Sequence, residues 1–248
     1  MKNTKKFIAA YNTEKSLLHY GHAIYNVGIL QAEHKILEML NLPKDAKIAD
    51  LGSGPGRFGI NLGLLMPNYQ IDCYDLSELS IDLGRKLAKE HKLQKRVKFI
   101  CGDLTSFGLY GKNKYDLMFF TFNALMTIPD HHNKVLALQN AYKSLKENGF
   151  LAFTAPTISG DRNREKYFSQ IKKSENERLG DLTYQVENEL GILCYYEIEE
   201  IMDLLKEAGL PKPTFYDYRD NIAEETLQAK EFSDNAVYYL IEKTSAKD

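Results

Sequence analysis

The stretch "KIADLGSGPGRFGINLG", Lys47 to Gly63, places four glycines, Gly52, Gly54, Gly56 and Gly59, within eight residues after an apolar run. Such a loop leaves bare backbone for close approach to a ligand, and its two registers carry two chemistries. From Gly54 it reads G-x-G-x-x-G, the pattern that seats a dinucleotide pyrophosphate on a helix N-terminus. From Asp50 it reads acid-x-G-x-G-x-G, which points to a different nucleoside cofactor. Asp75 in "CYDLS" and Asp103 in "FICGDLTSF" follow. An acid about 20 residues past the glycines suits either register, so Asp75 alone does not choose between them.

Alternating helix and strand signals must position these residues. "EKSLLHYGHAIYNVGILQAEHKILEML" reads as one or two helices with Ile29, Ala32, Ile36, Leu37 and Leu40 on one stripe, ended by Pro43. "AKIADL", "YQIDCYD", "RVKFICGD", "YDLMFFTF" and "FLAFTAP" read as five strands, the fourth almost wholly apolar like a central parallel strand. Ser77 is placed to cap a helix with Leu79, Leu83 and Leu87 inward, and Asp130 to cap "HHNKVLALQNAYKSLK", closed by Asn148-Gly149. The rhythm breaks over 157–196, where a charged stretch precedes a candidate hairpin, "LTYQVENELGILCYY". It resumes with the helix "EIEEIMDLLKEAGL" and the strands "PTFYDYRD" and "NAVYYLIEKT", the last expected to run antiparallel.

Strand chemistry favours the Asp50 register. Starting the loop at Gly54 would put Gly52 and Ser53, poor strand formers, inside the strand and leave Asp50 without a role. Starting it at Gly52 ends the strand at Leu51 and sets Asp50 at its carboxyl edge. "DLGSGPG" (Asp50, Gly52, Ser53, Gly54 and Gly56 within it) then resembles the first motif of the class I S-adenosylmethionine-dependent methyltransferases. The resemblance is strong over 45–156 and architectural over 197–243. It implies a Rossmann-like α/β fold: a doubly wound, seven-stranded, mostly parallel sheet with an antiparallel last strand. It also implies a single methyltransferase domain of N-terminal helices (1–44), cofactor-binding core (45–156), lid-like insertion (157–196) and C-terminal helix with two strands (197–248). The cofactor implied is S-adenosylmethionine, leaving as S-adenosylhomocysteine. Asp50 would organise its amine, Asp75 with Leu76 its ribose, and Asp103 with Leu104 its adenine. In small-molecule members tyrosines of the first helices reach the methionine carboxylate, which singles out Tyr11 and Tyr20, although the same aromatics could simply pack on the sheet. Gly59 becomes a helix residue, small so that the helix lies close to the sheet.

The acceptor side is read from "FTFNALMTIPDHHNK". It is not N/D-P-P-Y, which disfavours methylation of a base's exocyclic amine, and no cysteine follows a proline as a nucleophile would. Asn123 could contact cofactor or acceptor. No residue is assigned as catalytic: Thr127 falls where plant-type O-methyltransferases carry a histidine base, and His131, His132, His19 and His22 stay open as participants. Tyr167, Phe168, Tyr184, Tyr195 and Tyr196 could line an acceptor pocket or form the insertion's own small core. The bases Arg162, Arg164, Lys166, Lys172 and Lys173 are interleaved with acids, like a solvated face.

A net charge of −2 over 248 residues gives no general field for nucleic acid. Cys73, Cys101 and Cys194 form no disulfide or metal pattern and read as buried thiols, so no metal is expected. No apolar run is long enough for a membrane span or a signal peptide core, and a cytoplasmic protein is expected. The leading expectation is methyl transfer to O, N or C of a small-molecule acceptor, directly and in line. An RNA or protein methyltransferase, or a nicotinamide-dependent oxidoreductase in the Gly54 register, are the alternatives. A cofactor-binding module with no activity, or an enzyme doing other chemistry on the same cofactor, is a further one.

Overall fold

The computed structural model describes residues 2–173 and 177–244. Three helices, α1 (Lys2–Tyr11), α2 (Glu14–Asn26) and α3 (Gln31–Met39), precede the sheet, the last two within the stretch read as one or two helices. Thr13 separates the first two, its hydroxyl accepting the Ser16 N–H at the start of α2. Five parallel strands follow: β1 (Lys47–Leu51), β2 (Gln70–Asp75), β3 (Val97–Cys101), β4 (Tyr115–Phe120) and β5 (Leu145–Ala155). The helices between them are α4 (Arg57–Leu65), α5 (Glu78–Glu90) and α6 (His131–Ser144). The insertion contributes α7 (Arg162–Gln170) and an antiparallel hairpin, β6 (Asp181–Val186) with β7 (Glu189–Cys194), as its pattern suggests; its residues 174–176 lie outside the described residues. The chain then forms α8 (Ile198–Glu207), β8 (Phe215–Tyr218), α9 (Arg219–Ile222), α10 (Leu227–Phe232) and β9 (Val237–Glu242).

The sheet order is β3-β2-β1-β4-β5-β9-β8, with β9 antiparallel to both its neighbours. This is the seven-stranded, mostly parallel sheet with a reversed last strand that the sequence leads one to expect. Alternation divides the core between two faces. Ala49, Leu51, Met118 and Phe120 face α6 and α8, while Ile48, Leu117 and Phe119 face α3, α4 and α5. The order reverses at β1 and β4, so a crevice opens beyond their carboxyl ends.

Several local readings change. The inner face of α5 is Ile81, Gly84, Leu87 and Ala88, with Leu79 41% exposed and Leu83 half-buried. Gly84 decides it: a Cβ there would lie 2.2 Å from the Phe99 ring of β3, so the helix packs through its glycine. Helix α6 stops at Ser144, and Asn148-Gly149 lies inside β5 instead of capping the helix. There Asn148 takes φ 61° and the pairing with β4 jumps from Tyr115↔Leu145 to Leu117↔Phe150. The two short helices between β8 and β9 carry no periodic signal. Cys73 and Cys194 are buried as expected, but Cys101 at the end of β3 is exposed. Among the described residues no helix is long and apolar enough to cross a membrane.

Gly59 holds the expected close approach. A Cβ on it would fall 2.2 Å from Cys73 Sγ and 3.4 Å from Asp50 Oδ2. Gly59→Ala therefore sets a helix-propensity gain of about 1 kcal/mol against overpacking of about 1–3 kcal/mol, and the rigid strand on the other side makes the clash win. Urea unfolding should show a net loss of stability, with part of it recovered when Cys73→Ala is added.

Candidate active site

The glycine loop leaves β1 after Leu51, with Gly52 as its first residue. Gly52 and Ser53 donate their N–H groups to the Tyr74 carbonyl at 2.8 and 3.0 Å. Gly52, Gly54 and Gly56 all have left-handed φ, 67°, 54° and 98°. A Cβ on Gly52 would meet Ala124 Cβ at 2.6 Å and one on Gly56 the Phe99 ring at 2.5 Å, whereas Gly54 faces open space toward Tyr20.

Asp75 secures this loop. Its Oδ2 accepts the Gly54 N–H and its Oδ1 the Ser77 N–H, both at 2.8 Å. Burial pushes its carboxyl above the usual range against the pull of those backbone donors. Asp103 accepts the Thr105 N–H at 2.9 Å and the Thr105 hydroxyl at 2.7 Å, both on Oδ1. Leu76 and Leu104 follow these acids along the rim.

A cleft opens at the carboxyl ends of β1, β2, β3 and β4. Of the residues singled out from the sequence, it brings together Tyr11, Tyr20, Gly52, Ser53, Gly54, Asp75, Leu76, Asp103 and Leu104, with Thr127 farther along. Helices α1 and α2 roof it with Phe7, Ile8, Tyr11 and Tyr20, and the β4–α6 connection walls it with Phe122, Ile128 and Pro129. Tyr11 lends only its ring. Its hydroxyl donates to the Ile192 carbonyl (2.8 Å) and meets the Tyr184 hydroxyl (2.7 Å), tying α1 to the hairpin. Burial holds both cleft tyrosines, Tyr11 and Tyr20, well above the ordinary phenol value.

Other candidates lie elsewhere. Asp50 is fully buried beneath the loop, accepting the Gly59 N–H at 3.1 Å and the Thr121 hydroxyl at 3.4 Å, and does not line the cleft. Gly56 turns toward Phe99 as the cap of α4. Asn123 is buried off the cleft, and its Oδ1 has no partner among the described residues. His131 is spent on the Tyr196 hydroxyl (3.2 Å) and Glu207 (2.8 Å), and His132 is exposed at the start of α6. His19 stacks on Phe232 at 4.4 Å and His22 is exposed on α2. Of the insertion aromatics, Phe168 packs on Tyr195 at 5.0 Å, Tyr184 reaches Tyr11, Tyr196 joins the main core beside His131, and Tyr167 is exposed.

Sequence reasoning misses Arg57. It is the first residue of α4, 4% exposed, and it lines the cleft. Its guanidinium pairs through both terminal nitrogens with Glu33 of α3 (Nη1 to Oε2 2.7 Å), donates to the Gly28 carbonyl at 2.6 Å, and lies 3.7 Å from the centre of the Phe122 ring. Burial works most strongly against its charge, but Glu33, with Asp50 and Tyr238 adding to it, keeps the guanidinium above its ordinary value. Only the direct sequence to Gly56 hinted at Arg57; its partner lies 24 residues upstream.

A family model described as a methyltransferase domain matches residues 42–209. The chain belongs to the class I S-adenosylmethionine-dependent methyltransferases. It is 28% identical over 179 residues to a carboxy-S-adenosyl-L-methionine synthase of Wolinella succinogenes, covering 69% of this chain and 71% of that one. It is 30% identical over 83 residues to the release factor glutamine methyltransferase of Clostridium botulinum, where the match covers 34% of this chain and 29% of the relative. The chain thus spans less than a third of that relative's length. A methyltransferase structure from Methanosarcina mazei superposes with TM-score 0.67 at 15% identity, over 84% of this chain and 97% of that one. The CcbJ methyltransferase of Streptomyces caelestis gives 0.63 at 15%, over 89% and 98%. At these identities the superpositions speak for the fold.

Asp50 gives this site a measurable pH signature. Burial pushes its carboxyl up to about 7, Glu33 adding to the shift and Arg57, the Gly59 N–H and the Thr121 hydroxyl opposing it. The folded chain therefore keeps a proton that the unfolded chain releases near pH 4. That contribution to stability is complete below about pH 4 and is lost as pH rises through about 7. In Asp50→Asn the neutral amide removes this dependence, so a melting series should show the variant gaining on the wild type from about pH 4 to about pH 7, with little further change above.

Proposed function

We propose that the protein moves the methyl group of S-adenosylmethionine to O, N or C of a small-molecule acceptor, directly and in line. The observation that carries this reading is the cleft itself: carboxylates and a bare glycine loop at one end, and an apolar compartment roofed by α1 at the other. When bound, S-adenosylmethionine supplies a methyl group made electrophilic by its positive sulfur. The residues fit that cofactor. A carboxylate has about four acceptor sites. Asp75 therefore has capacity left for two ribose hydroxyls beyond the two N–H groups it holds. Asp103 uses Oδ1 for Thr105, and among the described residues nothing donates to Oδ2, which suits adenine's exocyclic amine. Leu76 and Leu104 flank these contacts. Gly52, Ser53 and Gly54 back the amino-acid end, and Tyr20, its phenol kept protonated, donates toward the methionine carboxylate. Asp50, Gly56 and Asn123 act from beneath, by holding the loop and the β4 turn in shape.

Alignment of acceptor and methyl group is the chain's contribution, and holding such a geometry is worth roughly 7–11 kcal/mol. A protein acceptor is the second reading, favoured by the release factor methyltransferase relative; the roof of α1 and the hairpin supports the small molecule. Incubating the protein with methyl-labelled S-adenosylmethionine and a cell extract tests this. Label should enter the low-molecular-weight fraction, and label confined to protein or RNA would overturn the reading.

The residue assignments have their own test. Removing a hydrogen bond to a charged group costs about 1.5–3 kcal/mol, or roughly 10- to 100-fold in affinity. By calorimetry, Asp75→Ala and Asp103→Ala should each weaken S-adenosylhomocysteine binding by that order, while the wild type binds no NAD. Unchanged affinity in both variants would sink the assignment.

A further inference from the structure

We propose that the acceptor is an amine, carrying its nucleophilic nitrogen on a small apolar or aromatic frame. This rests on the methyltransferase reading above and narrows it to one substrate class.

The charge of the cleft carries the inference. Among the described residues, the charged side chains on its walls are Asp75, Asp103 and Arg57. Arg57 is neutralised by Glu33 through both terminal nitrogens, and the Phe122 ring covers its face. The walls therefore present two carboxylates and one cation already paired. An acceptor that reacts as an anion, a phenolate or a carboxylate, would bring a third negative charge into a space with apolar walls. Asp75 and Asp103 lie at the cofactor end, and with Arg57 already paired the walls offer an anionic acceptor no free cation to offset its desolvation. An amine meets the opposite situation, because it enters as a cation or a neutral molecule.

The acceptor end fits such a frame. Phe7, Tyr20, Phe122, Ile128 and Pro129 enclose it, and aromatic faces attract organic cations. The titratable groups nearby do not serve as bases toward a hydroxyl. Tyr20 is held protonated by burial, the Tyr11 hydroxyl is committed to Ile192, and His131 is bonded to Tyr196 and Glu207. An amine reacts from its neutral form: where it arrives as an ammonium, that proton passes to water before the nitrogen attacks, and no protein base is needed.

The step balances without another reactant. The nitrogen lone pair forms the N–CH3 bond as the S–CH3 bond breaks, and that electron pair stays on sulfur as a neutral thioether. The positive charge passes to nitrogen, and the proton of the product ammonium leaves to water. From the sulfonium to the product ammonium the cleft keeps one positive charge, and it is released only when that ammonium loses its proton to water.

Three probes of one shape test this: 2-phenylethylamine, 2-phenylethanol and 3-phenylpropanoate. Calorimetry on the protein loaded with S-adenosylhomocysteine should show the amine binding tightest and the carboxylate weakest, with at least a roughly 10-fold gap between them. With methyl-labelled S-adenosylmethionine and a low-molecular-weight cell extract, the label should be retained on a cation exchanger at neutral pH. Equal or tighter binding of the alcohol or carboxylate would overturn the assignment. So would label in the unretained fraction, or binding and transfer with none of the substrates. Failure to bind S-adenosylhomocysteine at all would instead remove the methyltransferase reading on which the assignment stands.

Discussion

The buried pair of Glu33 and Arg57 joins parts of the chain that the sheet alone does not. Glu33 belongs to α3, before the first strand, and Arg57 opens α4, directly after the glycine loop. Glu33 also accepts the Leu30 N–H at 2.9 Å, so one carboxylate caps its own helix and anchors the other. Buried ion pairs are poor sources of net stability, because desolvation offsets most of the attraction, yet removing one partner costs about 3–5 kcal/mol. Their value lies in geometry: a charge with one satisfactory partner admits one arrangement. Here that arrangement fixes the N-terminal helices against the loop, and with them the roof of the cleft against its floor. Glu225 reinforces it from the far end of the chain by accepting the Gln31 and Ala32 N–H groups at 3.0 and 2.9 Å.

The roof is held from its other side by polar contacts as well. Tyr11 meets Tyr184 and Ile192, so α1 rests on the hairpin rather than on the sheet. The hairpin is fastened in turn by Lys134 of α6, buried, which donates to the Ile128 carbonyl at 2.6 Å and lies 3.3 Å from Cys194 of β7. Ile128 is a wall of the cleft. The insertion thus does not line the cleft with its own aromatics, but it determines where α1 and the β4–α6 connection sit.

How much of this was legible in the sequence follows from the range of each interaction. The end of β1 at Leu51 could be read because glycine and serine are poor strand residues. The roles of Asp75 and Asp103 as strand-end acids could be read because parallel strands bring their carboxyl ends to one edge. Gly59 was readable for the same local reason. Asp50 was placed correctly at a strand end, but its carboxylate turns under the loop to accept the Gly59 N–H, and no local signal records that direction. The histidines clustered in the sequence and are dispersed in space because each finds a separate partner, Phe232 for His19 and Glu207 for His131. Of the expected stripe on α5, Leu87 is buried and Leu83 packs partly against the core, but Leu79 is exposed because the helix turns Gly84 toward Phe99 of another strand. Arg57 was invisible since a charged residue at a helix start is ordinary, and what makes this one special is Glu33.

The β4–α6 turn shows the same dependence at its most demanding. Phe122 and Asn123 are consecutive non-glycine residues in the left-handed region, φ 47° and 60°. Such backbone costs of order 1–3 kcal/mol per residue and persists only when its surroundings over-determine it. Asparagine tolerates this region well and phenylalanine poorly, so the strain centres on Phe122. Three elements compensate: the Arg57 guanidinium lies on one side of the ring, Phe232 of α10 packs 5.3 Å away, and the Thr154 hydroxyl of β5 accepts the Asn123 N–H at 2.7 Å. A glycine at position 122 would relieve the backbone but remove the ring that those contacts hold. The turn also brings Ala124 to where a side chain on Gly52 would sit, so a bare glycine loop and a strained turn are two halves of one constraint. The cleft keeps its shape because elements distant in sequence hold a conformation that its own residues would not choose.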